Sequence, residues 1–185
     1  MLETLPGLAS YLVFFAVFAS YFALLSLGLN IQWGMAGLFN VGVAGFALIG
    51  AYGSAILTTP DHAQQIGGFG LPVAVGWLGA MALSGLFALL VGIAALRLRH
   101  DYLAITTFGI AVTVQLVALN AQVLTGGAFG IGFIPRPLYD ELGGGVGWNL
   151  AYLGLVLAIL GIVYLAAERM ARGPWGRVLR AIRED

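Results

Sequence analysis

The 185 residues are 61% hydrophobic and only 9% charged, where an ordinary soluble domain is roughly one-quarter charged, so a water-soluble fold is excluded. Eight basic residues, all arginine, balance eight acidic ones to a net charge of zero; there is no cysteine, and the two histidines, His62 and His100, lie outside the long apolar runs. That excludes a disulfide framework, a thiolate metal site and a phosphate loop ending in lysine, and it leaves no cofactor and no nucleic acid to expect.

A membrane-spanning helix needs about 20 largely apolar residues, each rising about 1.5 Å across about 30 Å of hydrocarbon. Five stretches qualify: residues 8–29, 33–57, 71–96, 102–124 and 149–167. The first begins without a basic region, with Glu3 as its only charge, so it reads as a retained span and not as a cleaved leader. Arg97 and Arg99 lie between the third and fourth stretches, and Arg169, Arg172, Arg177, Arg180 and Arg183 follow the fifth. The positive-inside rule puts both arginine sites in the cytoplasm. Alternation then leaves the N-terminus and the loops at 58–70 and 125–148 outside, provided that the second stretch crosses completely.

The second stretch carries Gly34, Gly37, Gly42, Gly45, Gly50 and Gly53 around Asn40, a density that would weaken a lone helix by up to about 1 kcal/mol per glycine. Ala47, Ala51 and Ala55, with Gly50 and Ser54 beside them, make a small-residue face suited to close helix approach in lipid. Around Asn40 and Gly42 the pattern reads either as tight packing or as a broken helix whose freed backbone groups line a cavity. The fourth stretch is too polar to face lipid on every side. Thr106, Thr113 and Asn120 recur every seven residues on one stripe, which either lines a polar path or hydrogen-bonds to neighbouring helices. The glycine-rich loop at 125–148 contains Pro135-Arg136-Pro137, then Asp140 and Glu141; it is a solvated connector or a docking surface for an extracytoplasmic partner.

Beyond Glu168, Gly173 ends the fifth helix and Pro174 suits the first turn of another. Trp175, Val178, Leu179 and Ile182 then fall at i, i+3, i+4 and i+7, with Arg177, Arg180 and Glu184 on the other side. The helix is amphipathic and too short to span. It reads as an anchor on membrane lipid, a positive-inside flank or a knob for a partner protein; the acidic pair Glu184-Asp185 favours a partner.

Three separated stretches resemble the permease subunits of branched-chain amino acid ABC importers, of the LivM type. They are Leu27-Gly28-Leu29-Asn30-Ile31-Gln32-Trp33-Gly34 with Gly37-Leu38-Phe39-Asn40 and Gly50-Ala51-Tyr52; Leu98-Arg99-His100-Asp101-Tyr102-Leu103-Ala104-Ile105; and Thr125-Gly126-Gly127 with Ile134-Pro135-Arg136-Pro137. The run Gly176-Arg177-Val178-Leu179-Arg180-Ala181-Ile182-Arg183-Glu184 is similar to the family's cytoplasmic coupling segment. The chain departs from the family in having Val43 after Asn40-Val41-Gly42, where many members have histidine. Such permeases continue for several more helices and many begin with an additional one, so the chain is expected to be an N-terminal portion.

The resemblance implies an all-α, polytopic transmembrane bundle with about five spans, residues 1–185 forming one permease domain and 168–185 a cytoplasmic coupling segment. It implies a non-catalytic subunit of an ATP-driven importer in the bacterial inner membrane. The implied partners are ABC ATPase subunits, a second permease subunit and an extracytoplasmic substrate-binding protein. Trp175, Gly176, Arg177, Leu179, Arg180, Ile182, Arg183 and Glu184 would meet the ATPase; Asn40, Gly42, Thr106, Thr113 and Asn120 are the expected path residues. A urea or amide permease and a non-transporting membrane scaffold are the alternatives. An intramembrane hydrolase lacks its constellation, since His100 and Asp101 are adjacent and no Gly-x-Ser-x-Gly occurs. A proton-coupled carrier lacks a carboxylate or histidine within a span.

Overall fold

The computed structural model describes residues 4–61, 67–95, 98, 100–139, 143 and 145–184, without the side chains of residues 4–6, 100, 101 and 184. Arg97, Arg99, His62, Asp140, Glu141 and Asp185, and the side chains of His100, Asp101 and Glu184, therefore lie outside the described residues. All regular structure among the described residues is helical: α1 (Thr4–Leu29), a π-helical turn (Asn30–Met35), α2 (Val43–Thr58), α3 (Val73–Ala95), α4 (His100–Asn120), α5 (Gln122–Thr125), a 3-10 turn (Gly127–Phe129), α6 (Gly145–Arg172) and α7 (Pro174–Glu184). The chain is an all-α membrane protein; among the described residues four helices are long and apolar enough to cross a bilayer, Gly7–Met35, Val73–Ala95, Tyr102–Asn120 and Gly145–Arg172.

The second expected span differs from its predicted bounds. Trp33 and Gly34 belong to the π-helical turn that continues α1, this turn ends at Met35, and a 16-residue helix begins at Val43. Sixteen residues reach about 24 Å, short of about 30 Å of hydrocarbon. The glycines explain the break. Gly37 takes φ +73°, a left-handed conformation open to glycine at little cost, and its amide and that of Leu38 return to the carbonyls of Trp33 and Gln32 at 3.1 and 3.0 Å.

The helices pack as two compact units, residues 1–38 with 137–185 and residues 39–136. In the second, α2 and α3 run antiparallel and interlock through small residues. A Cβ on Gly50 would meet Ala80 and Ser84, one on Gly53 would meet Leu83, and Gly76 and Gly79 of α3 lie against Ser54, Thr58 and Leu57. The Ser84 hydroxyl donates across this seam to the Phe46 carbonyl at 3.0 Å, and Phe46 and Phe87 pack at 5.6 Å. Of the predicted small-residue face only the flanking Gly50 and Ser54 meet α3; Ala51 and Ala55 turn instead toward residues 130–134.

In the first unit α1 and α6 flank a shallow apolar groove of about 510 Å³ that includes Ala23, Leu27, Leu157 and Leu160. Aromatic side chains follow the outer side of α1, where Phe14, Phe18 and Phe22 pack in sequence at 6.2 and 5.1 Å. At the start of α6 the Trp148 indole donates to the Pro137 carbonyl at 2.8 Å and stacks on Tyr152 at 5.2 Å, an aromatic group of the kind that marks a membrane–water interface.

Candidate functional site: the broken segment and the C-terminal helix

A helix break at membrane depth must find partners for the backbone groups it frees. Here Asn40 and α4 supply them. Asn40 Oδ1 accepts from the Gly42 amide at 2.8 Å, closing a turn two residues long, and Thr107 Oγ1 accepts from the Val41 amide at 3.1 Å while donating to the Ala104 carbonyl at 3.1 Å. Gly42 is buried against α4, where a Cβ would stand 2.7 Å from the Thr107 carbonyl oxygen; three residues on, a Cβ on Gly45 would stand 3.0 Å from Ala111 Cα. Both glycines permit backbone contact between α2 and α4, and α2 runs parallel to α4 as a result.

The expected path residues therefore separate. Asn40 and Gly42 come together, but with Thr107 and not with Thr106. Thr106, Thr113 and Asn120 all lie on the exposed side of α4, where Thr113 Oγ1 donates to the Gly109 carbonyl at 2.8 Å and Asn120 Nδ2 to the Leu116 carbonyl at 2.7 Å. Those two are satisfied within their own helix and do not join α4 to α2. Thr107, 2% exposed, is the residue that the seven-residue stripe overlooked. The signal was present one residue along, in the small series Thr107, Ala111 and Ala118 that matches the glycines of α2.

Asn40 is half-buried, its oxygen is taken up by the turn, and its side-chain nitrogen makes no hydrogen bond among the described residues. It offers a neutral hydrogen-bond donor beside the turn. A second small cavity in the same unit, of about 270 Å³, has Ala51, Tyr52 and Ala55 of α2 on one side and Gly130, Ile131 and Ile134 of the following loop on the other. In that loop Phe129 and Phe133 are almost wholly exposed, and Phe133 holds φ +54°, a conformation that is strained for a bulky side chain.

The C-terminal helix folds back on α6 at Gly173–Pro174. Gly173 closes α6 through its amide on the Arg169 carbonyl at 2.9 Å. Gly176 is buried against the Ala171 carbonyl, with no room for a Cβ, so it permits the fold-back; the sequence marked Gly173 for this purpose but not Gly176. Arg180 reaches back from α7, Nη2 to the Ala171 carbonyl and Nε to the Gly176 carbonyl, both at 3.0 Å. Arg183 Nη1 donates to the Gly34 carbonyl at 3.0 Å. Two arginines thus cap the carbonyl ends of two long helices, where positive charge is favoured.

What α7 leaves outward is apolar. Trp175, Val178 and Ile182 are 68%, 52% and 54% exposed, Leu179 is half-buried, and Arg177 is exposed beside them. An amphipathic helix normally buries that face. Here Arg180 and Arg183 reach toward the chain, and the apolar side chains point away from it.

The family described as branched-chain amino acid transport system / permease component matches residues 11–185. The chain is 35% identical over 192 residues to the high-affinity branched-chain amino acid transport system permease protein LivM of Escherichia coli strain K12, covering 92% of this chain and 43% of that protein. It is 30% identical over 192 residues to the probable branched-chain amino acid transport permease protein LivM of Methanocaldococcus jannaschii, covering 88% of this chain and 53% of that protein. The chain thus spans about half or less of the length of these relatives. No solved structure matches it.

Proposed function

Because the chain belongs to the family of branched-chain amino acid transport permeases, we propose that it forms part of the membrane path of an ATP-driven importer for branched-chain or related amino acids, with α7 as the helix that docks an ATPase subunit. The observation that carries this reading is the outward apolar face of α7, Trp175, Val178 and Ile182, on a helix two of whose arginines, Arg180 and Arg183, bind back to the chain. A helix that merely lay on lipid would direct its basic side chains to the headgroups.

Under this reading the protein sits in the bacterial inner membrane with α7 cytoplasmic, which the arginine-rich end supports. It works beside a second permease subunit and an extracytoplasmic binding protein, and it carries out no covalent chemistry itself. Closure of the ATPases displaces α7, and the broken segment with Asn40 alternately faces each side. The neutral groups there suit amino acid zwitterions and, equally, urea or amides, so competition of labelled leucine uptake by isoleucine and by urea in reconstituted vesicles reads the solute class.

The deciding experiment is co-purification with the ATPase from membranes, comparing the unaltered chain with Trp175→Asp plus Ile182→Asp. Those two changes spoil the outward face and leave Arg180 and Arg183 in place. Loss of the ATPase at unchanged membrane content supports the proposal; equal retention refutes it. A non-transporting scaffold would keep the ATPase and yet couple its turnover to no uptake.

A further inference from the structure

The sequence groups Arg177, Arg180 and Arg183 as one charged surface for a partner, but their side chains do three different things. Arg177 is exposed and makes no hydrogen bond among the described residues, Arg180 binds α6, and Arg183 binds the π-helical end of α1 at Gly34, 149 positions away in sequence. We propose that Arg183 is a positioning residue: it ties the far end of α7 to the end of α1, so that a displacement of α7 is delivered to the Gly34–Gly37 joint where the membrane helix breaks. The proposal rests on the reading of α7 as the ATPase-docking helix.

Two observations meet at this joint. The first is the acceptor. The amides of Gly37 and Leu38 return to Trp33 and Gln32, which leaves the Gly34 carbonyl at the helix end for the guanidinium. The second is the fit of the stem. Gly37 holds φ +73°, and a Cβ there would stand 3.0 Å from Arg183 Cγ, so the arginine lies directly on the one residue that turns the chain out of α1. The other attachment of α7, through Arg180 to Ala171 and Gly176, returns only to α6 and to α7 itself. Without Arg183, the Gly173–Pro174 bend lets α7 swing without pulling on α1.

The test uses the assembled importer in lipid vesicles, with solute uptake and ATP hydrolysis measured together. For Arg183→Met we expect the ATPase to stay bound and hydrolysis to continue while uptake per ATP falls about tenfold. Arg183→Lys keeps the charge but not the planar fork, and is expected to restore part of the loss. Loss of the bound ATPase in Arg183→Met, or an unchanged ratio, overturns the proposal, the first because Arg183 is then a partner contact. If Arg183→Met does not accumulate, Arg183→Lys decides: a lowered ratio with the ATPase bound supports the link and an unaltered ratio overturns it. Failure of the unaltered chain to hold the ATPase would instead remove the reading of α7, and this link with it.

Discussion

The two units are held together by opposite means. In residues 39–136 the helices meet through what is missing, since glycines at 42, 45, 50, 53, 76 and 79 make room for the backbone or side chains of the facing helix. In the other unit Gly154 and Gly161 of α6 have no side chain to receive, with nothing within 4 Å of a Cβ at either. Its ends are fastened by arginines on helix carbonyls instead. Interlocked small residues resist sliding, because any shift drives backbone into backbone. A guanidinium on an exposed carbonyl has a long stem and exchanges readily with water. On this comparison residues 39–136 are expected to be the stiffer unit.

The largest expected effect comes from filling a contact in the stiff unit. Gly42→Leu places carbon against the Thr107 carbonyl, and unfolding in detergent, followed by heat or denaturant, should show a loss of about 3 kcal/mol or more, at the upper end of overpacking costs. Next, Gly50→Cys with Ala80→Cys should close a disulfide on mild oxidation. The Gly50 Cβ position lies 3.9 Å from Ala80 Cβ, within the usual range of about 3.5–4.5 Å. The chain has no cysteine of its own to compete. Closure should add about 2–4 kcal/mol, and absence of the cross-link on non-reducing gels would deny the α2–α3 seam.

Thr107→Val is the third step. It leaves the Val41 amide without its acceptor and should lower stability by about 1 kcal/mol, with Thr107→Ser close to the unaltered protein. The smallest effect carries the opposite sign. Gly154→Ala in α6 meets open space, so it should raise the stability of the isolated chain by up to about 1 kcal/mol, the glycine–alanine difference in a helix. A loss there would mean that another surface needs the gap at Gly154.

Much of this was legible in the sequence because lipid enforces simple rules. Long apolar runs had to be helices, and the glycine density of residues 34–53 had to serve either close packing or a break; the structure uses it for both, on successive turns. The bounds were less legible. The polar residues Asn30 and Gln32 looked like the end of a span, yet the helix carries them through a π turn, because a π turn adds a residue without ending hydrogen bonding. The choice between Thr106 and Thr107 was not recoverable from the repeat of polar residues. Burial on α4 follows what α2 can approach, and that is decided by Gly42 and Gly45. In α7 periodicity found the apolar face correctly, but the arginines opposite it were read as facing a partner, since sequence distance hides that Gly34 lies within reach of Arg183.

The break at residues 36–42 also bears on how tightly the membrane stays sealed. An unwound stretch in lipid ordinarily recruits water to its bare amides, and a file of ordered water is a route along which protons hop. Here the amides of Gly37, Leu38, Val41 and Gly42 each have a protein acceptor already. At these four positions the break opens without leaving a bare amide for water to bind.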